Sequence, residues 1–468
     1  MAERPWVEVK TARVRLLGDV DPAVLVRLGR DLELFHHYLI HAGVARWPER
    51  TAPVTIVVVG RNSTYGAFRL APGIVGWFVP TIRASYAVVN LDAGFEADGI
   101  DQNVLFHEFA HFLLAYNQSF RYPLWYEEGF AESLSTFRVD EAGGVDVGLP
   151  SEARIRELAE DWRPLRELFE ERPIWYPQAW MTVHYLSSTP GRYDQLMKYL
   201  ALYDAGATSN EAFEQAFDLD YRKLQAEIRK YYWRGEYAYL HFEPGELPAV
   251  ESPVVRELAE GEILVELGTL FLDARREIDV ARSLFERALE VDPTSAPARS
   301  GLAAAALASG ELATAALQAD AALAADSRDA RGHTLRGHCL VERLESDDEA
   351  SVSSRAALRE EARAEYLRAI ELAPDVPEPY WALARIDRDG SDSSDPAIRL
   401  LETGRSLQPL DPRIPIDLAA IRIERRELAK ARLLLEPLVR EHEGPLGAEA
   451  RALLRKLEQA ERSDGLAR

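Results

Sequence analysis

The chain is poor in residues that cross-link proteins and in positive charge. Its 468 residues include a single cysteine, Cys339, so a fold held by internal disulfides is excluded and apolar cores must hold the domains together. The 55 lysines and arginines are outnumbered by 77 aspartates and glutamates, which gives a net charge of −22. Such a surface repels phosphate backbones and anionic lipid. We therefore expect neither nucleic acid nor a membrane surface as a partner.

Long apolar runs are also missing. No stretch approaches the roughly 18 residues that a membrane-spanning helix requires. The opening "MAERPWVEVK" contains no apolar core of an export signal. As written, the sequence predicts a cytoplasmic protein without a membrane span, although the mature form of an exported protein would begin in the same way.

The first half of the chain places strand-like segments before helix-like segments. β-Branched residues predict strands at 12–20, 54–60, 73–80 and 84–92, and an amphipathic helix after an Asp cap lies between the first two. Helical periodicity then covers 102–116, 124–137, 176–188 and 220–235. This order predicts an α+β domain over residues 1–237. The Pro-, Gly- and acid-rich segment 238–260 has the composition of a linker.

A repeated pattern fills the second half. "ARSLFERALEVDP" (Ala281 to Pro293) recurs as "ARAEYLRAIELAP" (Ala362 to Pro374), with small, large and small residues at the same places. Weaker copies surround both. The pattern resembles the tetratricopeptide repeat, in about four to five copies over residues 261–445, followed by a helix and tail over 446–468. The resemblance implies an all-α solenoid that recruits a protein partner or substrate through its concave surface.

The segment "QNVLFHEFAHFLLAY" raises the question of chemistry, because its helix is apolar on nearly every side. His107 and His111 lie one turn apart on one face, and Glu108 lies about 100° around the helix. In this His-Glu-x-x-His arrangement two imidazoles hold zinc and the glutamate takes a proton from the zinc-bound water. A satisfied structural cluster on a core helix is the alternative.

A second segment, "LWYEEGFAES", offers the missing carboxylate. Glu128 follows His111 by seventeen positions and is the expected third ligand, with Glu127 as the competing choice. Glu132 lies one turn later on the same face, where it is expected to receive the second ring N–H of His107 or His111. The alternative is that Glu128 and Glu132 are ordinary surface residues.

Together, "HEFAH" and "LWYEEGFAE" resemble the gluzincin metallopeptidases, and above all the aminopeptidase-N-like branch with its Trp-x-x-Glu-Gly-x-Ala-Glu pattern. The resemblance implies a zincin-like fold, zinc ligands His107, His111 and Glu128, and Glu132 as the outer acid. It also implies that Tyr176, which opens "YPQAWMTVHYL", donates a hydrogen bond to the oxyanion.

The chain departs from that branch at one place. The Gly-x-Met-Glu-Asn stretch that anchors a free amino group is absent, and "PGIVGWFVP" occupies the corresponding position. Exopeptidase action is therefore doubtful. Gly76 and Trp77 in this segment are candidate substrate-binding residues on an edge strand along which an extended peptide pairs. A bulge in a structural strand is the alternative.

Two functions from different classes follow. The first is a metallopeptidase with one Zn²⁺ per chain, in which Glu108 acts as general base on a peptide or protein substrate and the repeats recruit that substrate or a partner. The second is a non-catalytic repeat scaffold with a structural or degenerate zinc module. His and carboxylate ligands also accept cobalt, manganese or nickel, so zinc is inferred from the ligand type.

Overall fold

The protein is described by a computed structural model, and the statements below concern the residues that it places. These are 5–43, 52, 54–60, 76–90, 100–115, 121–170, 174–275, 277–346, 351–390, 395–441 and 444–466.

A mixed sheet forms the base of the amino-terminal part. Within the described residues it has six strands, namely β1 Val7–Lys10, β2 Val14–Gly18, β3 Val54–Val59, β4 Gly76–Pro80, β5 Ser85–Asn90 and β9 Val254–Glu257. Their order across the sheet is β4-β5-β3-β2-β1-β9, with β2, β3 and β5 parallel and the outer pairs antiparallel. Every residue of β3 and β5 is buried, as expected for central strands covered on both faces.

Helices cover one face of this sheet and then form a separate bundle. Their bounds are α1 Pro22–His41, α2 Ile100–Ala115, α3 Leu124–Ser135, α4 Glu152–Glu160, α5 Leu165–Phe169, α6 Tyr176–Ser188, α7 Arg192–Asp204, α8 Ser209–Ala216 and α9 Tyr221–Arg234. Asp21 caps α1 by accepting a hydrogen bond from the Ala23 N–H. The α+β character expected for this part is therefore present, while the zincin fold itself stays a prediction.

The segment 238–260 is built into the amino-terminal part. It contains β8 Leu240–Phe242, which pairs with β7 Val145–Val147 in a small sheet completed by β6 Arg138–Val139. It also contains β9, which pairs antiparallel with β1. All four residues of β9 are exposed, so backbone pairing rather than apolar burial holds this strand. An edge strand of this kind has the composition of a linker because its side chains need no core.

Antiparallel helix pairs make up the carboxy-terminal part. The bounds are α10 Glu260–Leu270, continued by a π-helical turn Phe271–Arg275, then α11 Ile278–Val291, α12 Ala296–Ala308, α13 Leu312–Ala325, α14 Ala330–Ser346, α15 Val352–Leu372, α16 Glu378–Gly390, α17 Asp395–Leu407, α18 Arg413–Glu424, α19 Leu428–Glu441 and α20 Gly444–Leu466. Helix α15 begins at Val352 and follows a polar stretch of the sequence. No helix in the described part combines the length and the apolar character that crossing a bilayer requires.

The repeated small and large residues explain how the pairs pack. Phe285 is fully buried between two glycines of neighbouring helices. A Cβ atom at Gly268 would lie 2.6 Å from its ring, and one at Gly301 would lie 2.3 Å away. Tyr366 is similarly seated against Gly337, at 2.6 Å. Phe285 is therefore fully buried only when the next pair, which contributes Gly301, is present.

The sheet is sandwiched between its own helices and the first repeats. Val54, Ile56 and Val58 of β3 point into the core that α1 and α2 cover. Val57 and Val59 point to the opposite face and pack with α10 to α12. The two parts of the chain thus share an apolar core across the sheet.

Candidate metal centre

Helix α2 fixes the direction of the two motif histidines through its aromatic face. Phe106, Phe109 and Phe112 are almost completely buried, and Phe106 contacts Phe35 of α1 with ring centroids 5.0 Å apart. With that face turned to the core, His107 and His111 remain half-buried on another face. Their Nε2 atoms lie 3.1 Å apart. The helix thus directs two ring nitrogens at one point.

Helix α3 brings a carboxylate oxygen to the same point. Oε2 of Glu128 lies 3.3 Å from Nε2 of His107 and 3.3 Å from Nε2 of His111. Glu128, and not Glu127, therefore belongs to the cluster. The position of α3 depends on Gly129, where a Cβ atom would lie 2.4 Å from the carbonyl oxygen of Ala179 in α6. Only glycine lets the two helices approach so closely.

The three atoms have the spacing of metal ligands. In a tetrahedral site with zinc–ligand bonds of about 2.0–2.1 Å, neighbouring ligand atoms lie about 3.3–3.4 Å apart. The observed separations are 3.1, 3.3 and 3.3 Å. Glu128 Oε2 is buried and makes no conventional hydrogen bond, which is unusual for a carboxylate oxygen unless a cation takes that place. The donor set of two imidazoles and one carboxylate therefore fits zinc.

Electrostatics in the cluster favour a charged carboxylate. Burial by itself would raise the pKa of Glu128, but its contacts with His107 and His111 lower it to about 2. Burial would lower the pKa of His107, and the nearby carboxylates of Glu128, Glu132 and Glu108 raise it instead. The raised pKa of His107 and the lowered pKa of Glu128 thus favour positive charge between these groups, which a divalent cation would supply.

Glu132 and Arg154 form a pair of charged side chains behind His107. Oε1 of Glu132, which is only 6% exposed, lies 3.4 Å from His107 Nδ1. Arg154 of α4 grips the same carboxylate with two donors: its Nε donates to Oε2 at 2.9 Å and its Nη2 to Oε1 at 2.7 Å. Sequence reasoning missed Arg154, because nothing in "SEARIRELAE" distinguishes it from an ordinary helix-surface arginine.

Tyr176 and Glu108 complete the surroundings of the cluster. Tyr176 is the first residue of α6 and is 40% exposed, with its ring centroid 6.5 Å from that of His107 and the Arg154 guanidinium 5.8 Å from its ring. Burial and then the charges of Glu128, Glu132 and Glu108 raise the pKa of Tyr176. The phenol therefore stays a neutral hydrogen-bond donor at pH 7. Glu108 is half-buried next to these groups.

Strand β4 carries the two candidate substrate-binding residues. Its backbone pairs with β5 in the register Gly76 to Val89 and Trp77 to Val88, and in the described part of the chain no strand pairs with its other side. The side chains of both residues fall outside the described part. Phe78 of the same strand contacts Phe112 of α2, with ring centroids 5.6 Å apart. An unpaired strand edge thus runs beside the helix that bears the histidines.

A second group with metal-ligand side chains lies on α1. Glu33, His36 and His37 are close enough to share an ion. Both carboxylate oxygens of Glu33 are already engaged, because Thr11 Oγ1 donates to Oε1 at 2.6 Å and Arg13 Nη1 donates to Oε2 at 2.7 Å. Burial also lowers the pKa of His36 to about 3, so it stays neutral. We therefore interpret this group as structural, with Glu33 anchoring the β1–β2 turn.

Comparison with known proteins bears on the repeats. A family model described as tetratricopeptide repeat matches residues 274–339. The helix pairs of the carboxy-terminal part thus form an all-helical solenoid like that of tetratricopeptide repeats. No curated protein matches this chain.

Solved structures that match part of this chain include repeat proteins of low sequence identity. A thermophilic TPR protein of Thermus thermophilus is 20% identical, with a TM-score of 0.36, and the match covers 43% of this chain and 98% of that one. PilF of Pseudomonas aeruginosa is 23% identical, with a TM-score of 0.33, and the match covers 44% and 90% of the two chains. YrrB, described as a TPR protein with an unusual peptide-binding site, is 15% identical, with a TM-score of 0.27 and coverage of 43% and 90%. The zincin assignment of the amino-terminal part stays a prediction.

Proposed function

We propose that the amino-terminal part is a zinc-dependent metallopeptidase that hydrolyses peptide bonds. The observation that carries this proposal is the triangle formed by His107 Nε2, His111 Nε2 and Glu128 Oε2, whose sides of 3.1 to 3.3 Å match the edges of a tetrahedral zinc site. Bound zinc would supply a Lewis acid that polarises the peptide carbonyl and acidifies water.

The remaining roles belong to side chains around the triangle. Glu108, next to His107 in the same helix, would accept a proton from the attacking water and return it to the leaving amine. Tyr176 would donate its hydroxyl hydrogen to the developing oxyanion, for which its raised pKa suits it. Glu132, held by Arg154, would orient the His107 ring.

Within the residues that the structure describes, β4 has one edge without a partner strand, and this edge suggests how a substrate would lie. An extended peptide that pairs with this edge would gain main-chain hydrogen bonds and would run alongside α2. Strand pairing of this kind recognises the main chain of the substrate and does not require its free amino group. It therefore favours cleavage within a polypeptide chain.

The second candidate is a protein-interaction scaffold in which the amino-terminal part carries a structural or inactive zinc module. The family match to the tetratricopeptide repeat favours this candidate, since the comparisons speak for the repeats and not for a peptidase. Both candidates share the metal site, so they differ in turnover and not in metal content. The repeats suggest a protein partner in either case.

Metal content is the first test. We expect about one zinc per chain in the purified parent and little in a His111→Ala variant. His37→Ala is the matched control, because it removes a histidine from the other group on α1 and should leave the zinc in place. If the parent takes up no metal even when zinc is supplied, both candidates lose their zinc module. Zinc without hydrolysis of any member of a peptide library would favour the scaffold.

A further inference from the structure

The turn between β4 and β5 is inserted into the repeat solenoid. It consists of residues 81–84 and is closed by a hydrogen bond from the Thr81 N–H to the Ala84 carbonyl at 2.9 Å. We define the turn-binding face as the residues of the solenoid that contact it. These are Asp273, Glu378, Ile398, Leu401, Gln408 and Ile414.

The turn makes one apolar contact with the face, through Ile82, and accepts a hydrogen bond to its backbone from Gln408. Ile82 is only 5% exposed and packs in a cluster with Ile398, Leu401 and Ile414. Gln408, itself 1% exposed, donates from Nε2 to the Thr81 carbonyl at 2.8 Å and to Ser85 Oγ at 3.2 Å. The two ends of the turn are thus held by one buried amide side chain.

Charge is matched where Arg83 enters the solenoid. Arg83 Nη1 donates to Asp273 Oδ2 at 3.3 Å, and its Nε lies 3.4 Å from Glu378 Oε2. Arg331 lies on the other side of Asp273 at 3.7 Å, and the Glu378 carboxylate also contacts His338 Nε2 at 3.2 Å. A cavity of about 30 Å³ beside both arginines is large enough for about one or two water molecules.

A buried ion-pair network of this kind fixes where the turn lies more than it adds to the free energy of unfolding. Ion pairs that leave water give little net stability, but a misplaced partner leaves a buried charge uncompensated at a high cost. The apolar contact between the sheet and α10 to α12 already attaches the repeats to the amino-terminal part. The ion pairs of Arg83 with Asp273 and Glu378 additionally hold the end of β4.

We propose that the turn-binding face is an internal receptor for the β4–β5 turn, and that this docking holds strand β4 in position beside α2. Arg83 is then a positioning residue, and an outside peptide can reach this face only after the turn has left it. The link to peptide cleavage rests on the proposed function, whereas the docking of β4 does not.

Hydrogen exchange of the full chain tests the docking directly. In Arg83→Ala we expect the amides of 76–90 to exchange at least tenfold faster than in the parent, with zinc content unchanged. Arg83→Lys keeps the charge but loses the forked donor, so its exchange should fall between the two. Arg282→Ala is the matched control: Arg282 pairs with Glu311 at 2.7 Å within the repeats and does not touch the turn.

A peptide probe tests whether the face becomes accessible. A labelled peptide of residues 78–87, FVPTIRASYA, should bind Arg83→Ala at least tenfold more tightly than the parent, in which the turn already occupies the face. If Arg83→Ala does not fold, Ile82→Ala replaces it, since that change weakens the apolar contact of the turn and leaves the turn-binding face intact. Unchanged exchange of 76–90, or equal acceleration throughout the chain, would overturn the docking.

A kinetic measurement separates this inference from the proposed function. In a parent that hydrolyses peptides, Arg83→Ala should raise KM for extended substrates at least threefold and leave kcat on a short substrate within twofold. Unchanged KM despite a loosened strand would overturn the positioning role. A parent without hydrolysis would contradict the peptidase, while the exchange and peptide measurements would still decide the docking.

Discussion

Two groups of ionisable side chains, one in the amino-terminal part and one where the β4–β5 turn meets the repeats, differ in their balance of donors and acceptors. Around His107, His111 and Glu128, three lone-pair atoms converge within 3.3 Å of one another. Around Arg83 and Glu378, cations and anions alternate. The first arrangement gains most from a metal cation, while the second neutralises itself. A cluster of ionisable residues in a sequence can therefore be either a metal site or a self-neutralising network. Only the arrangement of the individual atoms distinguishes the two.

The largest expected effect tests the chemistry assigned to the first group. Glu108→Gln keeps the size of the side chain and removes its basicity, and a positioned general base typically contributes about 10²- to 10⁴-fold in rate. We expect kcat on a peptide substrate to fall by that amount while zinc stays at the parental level. Glu127→Gln is the control and should retain activity. A fully active Glu108→Gln would remove the glutamate from the mechanism.

Acid titration tests the second group. Although burial alone would raise the pKa of Glu378, the contact with His338 and the charges of Arg83 and Arg331 lower it to about 2. Because this lies below the unfolded value of about 4.3, the carboxylate stabilises the fold above pH 4.3 and the stabilisation is lost as pH falls towards 2.

The contribution is about 3 kcal/mol in the free energy of unfolding. Glu378→Gln should lose this amount near pH 6 and should show a flatter dependence on pH between about 4 and 2, as followed by urea unfolding at each pH. Glu290→Gln, on the exposed side of α11, is the control. Parallel pH curves for parent and variant would contradict the assignment of the low pKa to Glu378.

The close approach of α3 and α6 is the next feature to disturb. In Gly129→Ala the new methyl group would overlap the Ala179 carbonyl oxygen, so the helices must separate. We expect a loss of about 2–3 kcal/mol in the free energy of unfolding and weaker zinc binding. Gly261→Ala, where the nearest atom would lie 3.7 Å from the new Cβ, should be nearly neutral. Equal melting temperatures for both variants would refute this packing.

The smallest expected effect concerns the support behind the metal ligands. Arg154→Met removes the fork that holds Glu132 and keeps most of the apolar stem. Loss of such outer partners typically costs about 10- to 100-fold in metal affinity. Competition with a chelator measures the Kd for zinc, and Arg156→Met on the exposed side of the same helix is the control. Unchanged affinity would mean that Glu132 needs no support from Arg154.

Much of the fold was predictable because its signals are local. The strands of β2, β3 and β5, the helix with "HEFAH" and the paired repeats follow from β-branched runs, from three-to-four spacing and from small and large residues in fixed order. The segment 238–260 was not predictable as strands, because exposed edge strands carry no apolar pattern.

The site divides in the same way. His107 and His111 share a helix face by their spacing alone, so the sequence determined their convergence. Glu128 was already the expected third ligand, whereas the hydrogen bonds of Arg154 to Glu132 and the insertion of Arg83 between Asp273 and Glu378 join residues from separate elements. Such contacts depend on how helices and strands approach one another across the core, and no local periodicity records that distance. The tertiary structure alone decided them.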